Sequence, residues 1–234
     1  SDLIAQSGQY MQFTSEPWVI LSPIEQSIKA KIEKYGTPLK DWDIDINYGI
    51  KTGCNEAFII DAAKREELIA KDPKSAEIIR PILRGKDIRR YGYDWQKLYL
   101  INSHNGYGNI SRIDIDNYPA IKDWLYNGGI AYNGKVYKGY ETLAARADQG
   151  DTPYNLRSCA YMDDFSKPKI VYQELSQGSR FAMDESGKYF ISNTGYLLTG
   201  AYLLYLLKIL NSNLIEFAFS HYYSTLMGDT GVRW

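Results

Sequence analysis

The segment from residue 42 to residue 60 constrains the fold of this chain more than any other. Its first part alternates apolar residues with polar or small ones, the pattern of a β-strand with one buried face, at Trp42, Ile44, Ile46, Tyr48 and Ile50. A loop that contains Gly53 follows, and residues 57–60 (AFII) are apolar without a break. We predict a hairpin of two strands, in which Gly53 supplies the positive backbone angle that the turn needs.

A helix signal precedes this hairpin. Ser22 is a favourable N-cap, Pro23 occupies the first helical position, and Glu25 completes a capping box. Gly36 is suited to end the helix. Between these signals apolar residues recur at helical spacing, at Ile24, Ile28, Ile32 and Tyr35. We predict an amphipathic helix that buries this one face.

Short strands and helices alternate irregularly along the rest of the chain. Further strands are predicted at 98–101, 170–172, 180–183, 189–191 and 196–199. A further helix is predicted at 62–71, with Asp61 as its N-cap. Other helices are predicted at 74–80, 119–126, 141–147, 201–210 and 213–223. The last four strands predict a meander, and helix 201–210 is apolar almost all round, which predicts burial. Because the order shows no strict βαβ alternation, we predict an α+β fold of mixed, mainly antiparallel curved sheets with packed helices.

Domain boundaries are predicted from composition and length. The chain has 234 residues and begins without methionine, so we expect it to be a piece of a longer protein. We assign residues 1–21 to a lead-in segment from an upstream domain and 22–234 to the domain itself, with a subdivision near 149–153. No secretory signal is visible, and the apolar run 201–210 is shorter than the roughly 20 residues that span a bilayer. We expect a soluble cytoplasmic protein without membrane contact.

Charge is balanced overall and concentrated locally. The 27 basic and 28 acidic residues give a net charge of −1, which argues against a non-specific nucleic-acid coat. Around Asp87, however, basic residues cluster at Arg80, Arg84, Lys86, Arg89 and Arg90. Such a cluster is suited to phosphate and base-edge contacts in DNA. The alternative is a solvated helix end whose arginines pair with nearby acids, and the pattern leaves both open.

Two further polar segments are candidate DNA contacts. In the loop 51–55, Lys51, Thr52 and Asn55 offer a cation, a hydroxyl and an amide, and Asn can pair bidentately with adenine. The same residues also suit an ordinary hairpin turn. Lys167 and Lys169 flank Pro168 at the start of a predicted strand. Outside these segments lie more isolated basic candidates, namely Arg146, Arg157, Arg180 and Arg233.

Catalytic and metal signatures are missing from the sequence. There is no glycine-rich cofactor loop after a strand and no Asn/Asp-Pro-Pro-aromatic site, since the segment 151–154 (DTPY) lacks the second proline. Two cysteines and two histidines make a zinc cluster improbable. Asp43 and Asp45 share one side of a strand and can be arranged around Mg²⁺, although a solvated strand face explains them as well. We predict that the chain is not catalytic and holds no metal.

Several motifs together resemble one family, the TaqI-like C-terminal specificity domains. They occur in the same order as in that family, at residues 49–60 (GIKTGCNEAFII), 81–88 (PILRGKDI), 167–172 (KPKIVY), Tyr196 and 210–213 (LNSN). The resemblance covers most of the chain. Each motif alone has little specificity, so the resemblance depends on the order and the separation of all five motifs.

The resemblance implies a target recognition domain that is not catalytic. Such domains bind double-stranded DNA for a covalently linked adenine-N6 methyltransferase domain, in restriction-modification or phage-defence enzymes that in some cases also cleave DNA. S-adenosylmethionine is then expected on the linked domain and no cofactor on this chain. The base-recognising residues of the family vary with the target, so none is carried over. The alternatives are a protein-interaction scaffold and a carbohydrate-binding module, which the abundance of aromatic residues would suit.

Overall fold

The first of two four-stranded sheets is entirely antiparallel. The computed structural model describes residues 21–223 and 232–233. In the first sheet the strands lie in the order β1, β13, β9, β11, with bounds Ile44–Tyr48 (β1), Gly195–Gly200 (β13), Lys169–Gln173 (β9) and Phe181–Asp184 (β11). The predicted lead-in 1–21 lies outside the described residues except for Leu21, and the predicted domain boundaries stay predictions.

The second four-stranded sheet is mixed. Its order is β12, β3, β6, β2, with bounds Phe190–Ile191 (β12), Ile79–Leu83 (β3), Tyr99–Ile101 (β6) and Ile59–Ile60 (β2). Strand β12 runs parallel to β3, whereas β6 is antiparallel to both β3 and β2. Because β12 precedes β13 in the chain, the turn between these two strands connects the second sheet to the first.

Three two-stranded ribbons complete the described strands. They pair Ile88–Arg89 (β4) with Gly92–Tyr93 (β5), Gly129–Ile130 (β7) with Val136–Tyr137 (β8), and Leu175–Ser176 (β10) with Val232–Arg233 (β14). Antiparallel pairing thus predominates, and the predicted α+β class of mixed, mainly antiparallel sheets with packed helices is confirmed.

Seven α-helices accompany the sheets in the described part of the chain. Their bounds are Pro23–Tyr35 (α1), Asn55–Phe58 (α2), Ala62–Lys71 (α3), Pro119–Asn127 (α4), Tyr140–Ala145 (α5), Leu203–Leu210 (α6) and Asn213–Ala218 (α7). The capping box that predicted α1 is present, since the backbone N–H of Ser22 donates to Glu25 Oε2 at 2.6 Å. Asp61 caps α3 as predicted, accepting from the N–H of Lys64 at 2.8 Å.

The predicted hairpin over 42–60 is wrong. Strand β1 pairs with β13, and residues 55–58 form the helical turn α2, so that only Ile59 and Ile60 extend as β2, which pairs with β6. The chain changes sheets at Gly49 and Ile50. The physical reason is that both candidate strands find longer-range partners, whose backbone pairing the local alternation does not encode.

Four other predictions need correction. The last four strands do not form a simple meander, because β12 joins the second sheet while β13 pairs with β9. Residues 73–77 form a 3₁₀ turn, and β3 then runs through Pro81 in place of the predicted helix 74–80. Helix α6 buries one side only, since Tyr205 is 62% exposed. The face predicted for α1 is only half covered, with Ile24 73% exposed.

The cores lie on both sides of the first sheet. In β9, Val171 faces the large core that the second sheet, α3 and α4 share, whereas Ile170 and Tyr172 face a smaller core under α6. This double burial explains why the middle of β9, residues 170–172 (IVY), is apolar without alternation. Among the described residues no single helix is long and apolar enough to cross a membrane. The two helical segments Leu203–Leu210 and Asn213–Tyr223, whose axes are bent by 56° relative to each other, reach that length and apolarity only when they are taken together.

Candidate functional site

Three chain segments meet where the two sheets join. The N–H of Gly49 donates to the carbonyl of Gly195 at 2.8 Å, and the N–H of Ile50 donates to that of Ile191 at 2.7 Å. The N–H of Ser192 donates to the carbonyl of Leu83 at 2.9 Å. A Cβ at position 49 would lie 2.0 Å from the carbonyl oxygen of Ser192, so only glycine permits this approach. The loop 51–55, the turn 192–195 and the end of β3 are thereby held side by side.

A cleft of about 310 Å³ opens at this junction. We call it the sheet-junction cleft. Its polar lining comes from all three segments, from β9 and from the β7–β8 ribbon, and includes Asn55, Arg84, Lys86, Tyr132, Gln173 and Asn193. Three of the predicted DNA-contacting residues, Asn55, Arg84 and Lys86, therefore come together, although Asn55 is distant in sequence from the other two.

Hydrogen bonds to two hydroxyl side chains, those of Ser192 and Thr194, hold the walls of the cleft in place. The N–H of Gly85 donates to Thr194 Oγ1 at 2.9 Å, and the hydroxyls of Ser192 and Thr194 lie 2.9 Å apart. A Cβ at position 85 would lie 2.2 Å from the carbonyl oxygen of Thr194, so this position also requires glycine. The cleft is consequently lined by a pre-organised backbone.

Arg84 and Lys86 have different environments despite their proximity in sequence. The guanidinium of Arg84 donates to both carboxylate oxygens of the buried Asp87, from Nε at 3.0 Å and from Nη2 at 2.8 Å. Its charge is neutralised within the 84–87 turn, as the ion-pair alternative predicted. Lys86 is exposed, and in the described part of the chain its ammonium makes no ion pair. Lys86 is thus the cation of the cleft that is available to a ligand.

Arg89 and Arg90 lie on the β4–β5 ribbon, outside the cleft lining. Arg89 is paired with Asp94 at 3.0 Å and donates to the carbonyl of Lys86 at 2.6 Å, which places it beside Lys86. Arg90 faces the other way, towards the junction of α6 and α7. There it donates to the carbonyl of Asn211 and to Asn213 Oδ1 at 3.3 Å. The predicted basic cluster is therefore divided between two surfaces.

The loop 51–55 presents fewer free polar groups to a ligand than its sequence predicts. Gly53 has the expected positive φ of 66°, but Thr52 is buried and its hydroxyl donates to Asn55 Oδ1 at 2.7 Å. This hydrogen bond uses one of the two lone pairs of the Asn55 oxygen and fixes the amide within the loop, which restricts the bidentate pairing with adenine that the sequence predicts. Lys51 is exposed, with its ammonium 4.9 Å from the centre of the Tyr48 ring.

A buried arginine supports this loop from beneath. Arg146 donates to the carbonyls of Thr52 at 2.6 Å, Pro153 at 2.9 Å, Asp148 and Asn155, and its guanidinium lies 4.6 Å from the centre of the Phe58 ring. Burial lowers the pKa of Arg146 from its ordinary value. Among the basic candidates outside the predicted clusters, this side chain has a structural role.

Lys167 and Lys169 do not belong to the cleft. Lys169 is fully buried, and its ammonium donates to the carbonyl of Phe165 at 2.7 Å and to Asp184 Oδ2 at 2.8 Å. The predicted DNA contact of Lys169 is wrong, because its ammonium has no exposed surface. Burial by itself would raise the pKa of Asp184, but the hydrogen bonds from Lys169 and from the backbone of Tyr189 hold it below its ordinary value. Lys167 is exposed and paired with Asp164 at 2.7 Å.

Gln173 and Asn193 were not predicted as site residues. Both line the sheet-junction cleft, Gln173 at the end of β9 and Asn193 in the turn between β12 and β13. The composition of residues 192–195 (SNTG) indicates a turn but not its neighbours, and Gln173 follows an ordinary apolar strand. Within the described residues no group of three or more His, Cys, Asp or Glu side chains is arranged to hold a metal ion.

Comparisons with known proteins identify similar sequences and folds. A sequence model of the TaqI-like C-terminal specificity domain matches residues 80–231. The Type II methyltransferase M.BstVI of Geobacillus stearothermophilus is 23% identical over 219 residues, which cover 92% of this chain and 36% of that protein. The chain thus spans about a third of the length of this curated relative.

Two solved structures are similar in fold. The Type IIL restriction-modification enzyme MmeI in complex with DNA has a TM-score of 0.50 at 13% identity, over 85% of this chain and 23% of that one. The type IIG restriction endonuclease BpuSI has a TM-score of 0.47 at 16% identity, over 84% of this chain and 23% of that one. The similarity to MmeI agrees with the predicted fold class.

Proposed function

The chain belongs to the family of TaqI-like C-terminal specificity domains, and from this premise we propose that it binds and recognises duplex DNA for a covalently linked adenine-N6 methyltransferase domain. The setting is restriction-modification or phage defence. The chain contributes target recognition and no catalytic step.

The sheet-junction cleft is the observation that supports this function best. It combines an exposed lysine, Lys86, with the amides of Asn55, Gln173 and Asn193 on a backbone held by interstrand hydrogen bonds. Cations that contact phosphate set the register of a protein on DNA, whereas amides carry the donor and acceptor needed for base edges. Lys51 is exposed and extends the cationic surface beyond the cleft, and the exposed Arg89, which is paired with Asp94, lies beside Lys86.

The linked domain would bind S-adenosylmethionine and carry out the methyl transfer. The chain spans only 36% of the relative M.BstVI, which leaves room in such a protein for a catalytic domain. A methyltransferase must take its target base out of the helical stack. By binding the neighbouring base pairs, this chain would hold the duplex in register while the linked domain extrudes the adenine.

Fluorescence anisotropy with a pool of random duplexes tests the proposal. We expect binding that weakens steeply between about 50 and 200 mM salt, and an enriched sequence in the bound fraction. Lys86→Ala should weaken binding to all sequences and reduce the slope of log K against log salt by about 0.9. The matched control is Lys31→Ala, an exposed lysine on α1 without an ion pair among the described residues, which should change neither quantity.

Each other outcome is informative. Salt-dependent binding without an enriched sequence would reduce the proposal to a backbone clamp. An unchanged salt slope in Lys86→Ala would remove the cleft from the binding surface. A lack of binding at low salt and high protein concentration would overturn the proposal in favour of an interaction scaffold, and binding to glycans alone would favour a carbohydrate module.

A further inference from the structure

Two amide side chains of the sheet-junction cleft have no partner within the described residues. Neither Gln173 nor Asn193 makes a side-chain hydrogen bond to any part of the chain that the structure describes. The polar groups around them are occupied: Ser192 and Thr194 bond each other, Gly85 bonds Thr194, and Asn55 accepts from Thr52. Among these side chains, Gln173 and Asn193 are the two amides whose donor and acceptor groups are both without a partner within the described residues.

Both amides are attached to backbone that is held in place. Gln173 is the last residue of β9 and pairs in register with Gly195 of β13. Its Cγ would lie 3.1 Å from a Cβ at position 85, so its aliphatic stem packs against the bare backbone of Gly85. Asn193 sits in a turn closed by the N–H of Gly195, which donates to the carbonyl of Ser192 at 3.0 Å. Gln173 is half-buried and Asn193 is exposed, so both amides are accessible to a ligand. Accessible side chains on a rigid support are the arrangement expected of recognition residues.

The chemistry of an amide selects its ligand. A primary amide presents one acceptor and a donor group side by side, and the major-groove edge of adenine presents the complement, with N7 as acceptor and the N6 amino group as donor. We propose that Gln173, supported by Asn193, recognises the major-groove edge of an adenine in the DNA target. Lys86, on the wall of the same cleft, contacts the adjacent phosphate. This inference rests on the proposed function and deepens it.

Asn55 has a different task in the same cleft. Its oxygen already accepts from Thr52, which fixes the amide within the loop, whereas its amino group has no partner among the described residues. We assign Asn55 as a donor to an acceptor such as N7, which adenine and guanine both carry. Adenine selection is assigned to Gln173, where the amide is free to present both its groups.

The test selects sequences from a random duplex pool with the 234-residue chain and its Gln173→Ala, Gln173→Glu and Asn193→Ala variants. We expect the unsubstituted chain to enrich adenine at one position, and Gln173→Ala to reduce that preference by about 5- to 100-fold while other positions and the salt slope stay unchanged. Gln173→Glu, which keeps the packed stem, should move the preference at that position to cytosine, whose amino group a carboxylate accepts. Asn193→Ala should weaken the adenine preference less than Gln173→Ala does.

A modified base gives an independent check. Replacing the selected adenine by 7-deazaadenine removes the N7 acceptor, so it should weaken binding of the unsubstituted chain and have little further effect on Gln173→Ala. Equal weakening in both proteins would overturn the inference, as would an adenine preference that survives in Gln173→Ala. In either case the proposed function stands if the unsubstituted chain still enriches a sequence. If the unsubstituted chain binds no duplex, the proposed function fails and the inference fails with it.

Discussion

Two basic segments of this chain, 84–90 and 167–169, look alike in sequence and have opposite roles in the structure. In the first, Lys86 lies exposed on the wall of the sheet-junction cleft, without an ion pair among the described residues. In the second, Lys169 is fully buried and held by Asp184 at 2.8 Å. The presence of a lysine in a basic segment therefore does not tell whether it stabilises the fold or binds a ligand. That depends on whether a carboxylate faces its ammonium group and whether water reaches it.

The buried pair should give the largest effect. Asp184→Ala leaves the Lys169 ammonium buried without its counter-ion, so we expect a loss of about 3–5 kcal/mol in the free energy of unfolding, measured by chemical denaturation. The matched control is Glu67→Ala, which removes the carboxylate that pairs with Lys64 and Lys71 on the surface of α3 and should change stability by about 1 kcal/mol or less. Similar losses in the two variants would contradict the comparison.

The second expectation concerns the arginine beneath the loop 51–55. Arg146→Met removes the donor shared by four carbonyl groups, and we expect a loss of about 2–3 kcal/mol, since a hydrogen bond to a charged group is worth about 1.5–3 kcal/mol. Arg157→Met is the control, because Arg157 is 52% exposed and, within the part of the chain that the structure describes, pairs only with Asp148. Thermal unfolding of both variants measures the difference, and equal melting temperatures would exclude the supporting role of Arg146.

Within the basic cluster, we expect Arg90 to contribute to stability and Lys86 to contribute to DNA binding. Arg90→Ala removes the donor to Asn211 and Asn213, so we expect a loss of about 1 kcal/mol in stability and an unchanged salt slope for DNA binding. Lys86→Ala should show the reverse, with a smaller salt slope and unchanged stability. Denaturation and salt titration of both variants test the pair, and a reduced salt slope in Arg90→Ala would show that both surfaces contact DNA.

The smallest effect is expected from pH. Burial, with a further contribution from Arg80, lowers the pKa of His104, whose Nδ1 accepts from the N–H of Gly106 at 3.2 Å. The unfolded chain then binds a proton more readily than the folded one, so stability should fall as the pH drops below about 6.5. His104→Gln should flatten this dependence between about pH 7 and 5, whereas the exposed His221→Gln should keep it. Urea titrations at several pH values measure both.

Elements with a local cause were predicted well. The capping box at Ser22, the cap at Asp61 and the positive φ of Gly53 each depend on a few adjacent residues, and all three are confirmed. The pairing of strands was predicted poorly. Strand β1 takes β13 as its partner, and residues 57–60 divide between a helical turn and β2, because pairing depends on distant segments.

Motifs that support the family resemblance also have structural explanations. In the segment 210–213, Asn211 is fully buried, and its amide donates to the carbonyl of Phe181 at 2.8 Å and accepts from the N–H of the same residue at 3.2 Å. Ser212 caps α7, accepting from the N–H of Ile215 at 3.2 Å. Asn213 accepts from Arg90. This motif therefore secures the edge of the first sheet.

Residue types, caps and the mixture of periodicities were enough to establish the α+β class, most helix starts and the family resemblance, because these depend on neighbours within a few residues. The tertiary structure alone decided that Lys169 is buried against Asp184 and that Asn55, Lys86, Gln173 and Asn193 line one cleft. Those outcomes depend on strands that pair across long stretches of chain. Backbone hydrogen bonds at Gly49 and Gly85 set the distances there, and local sequence does not specify them.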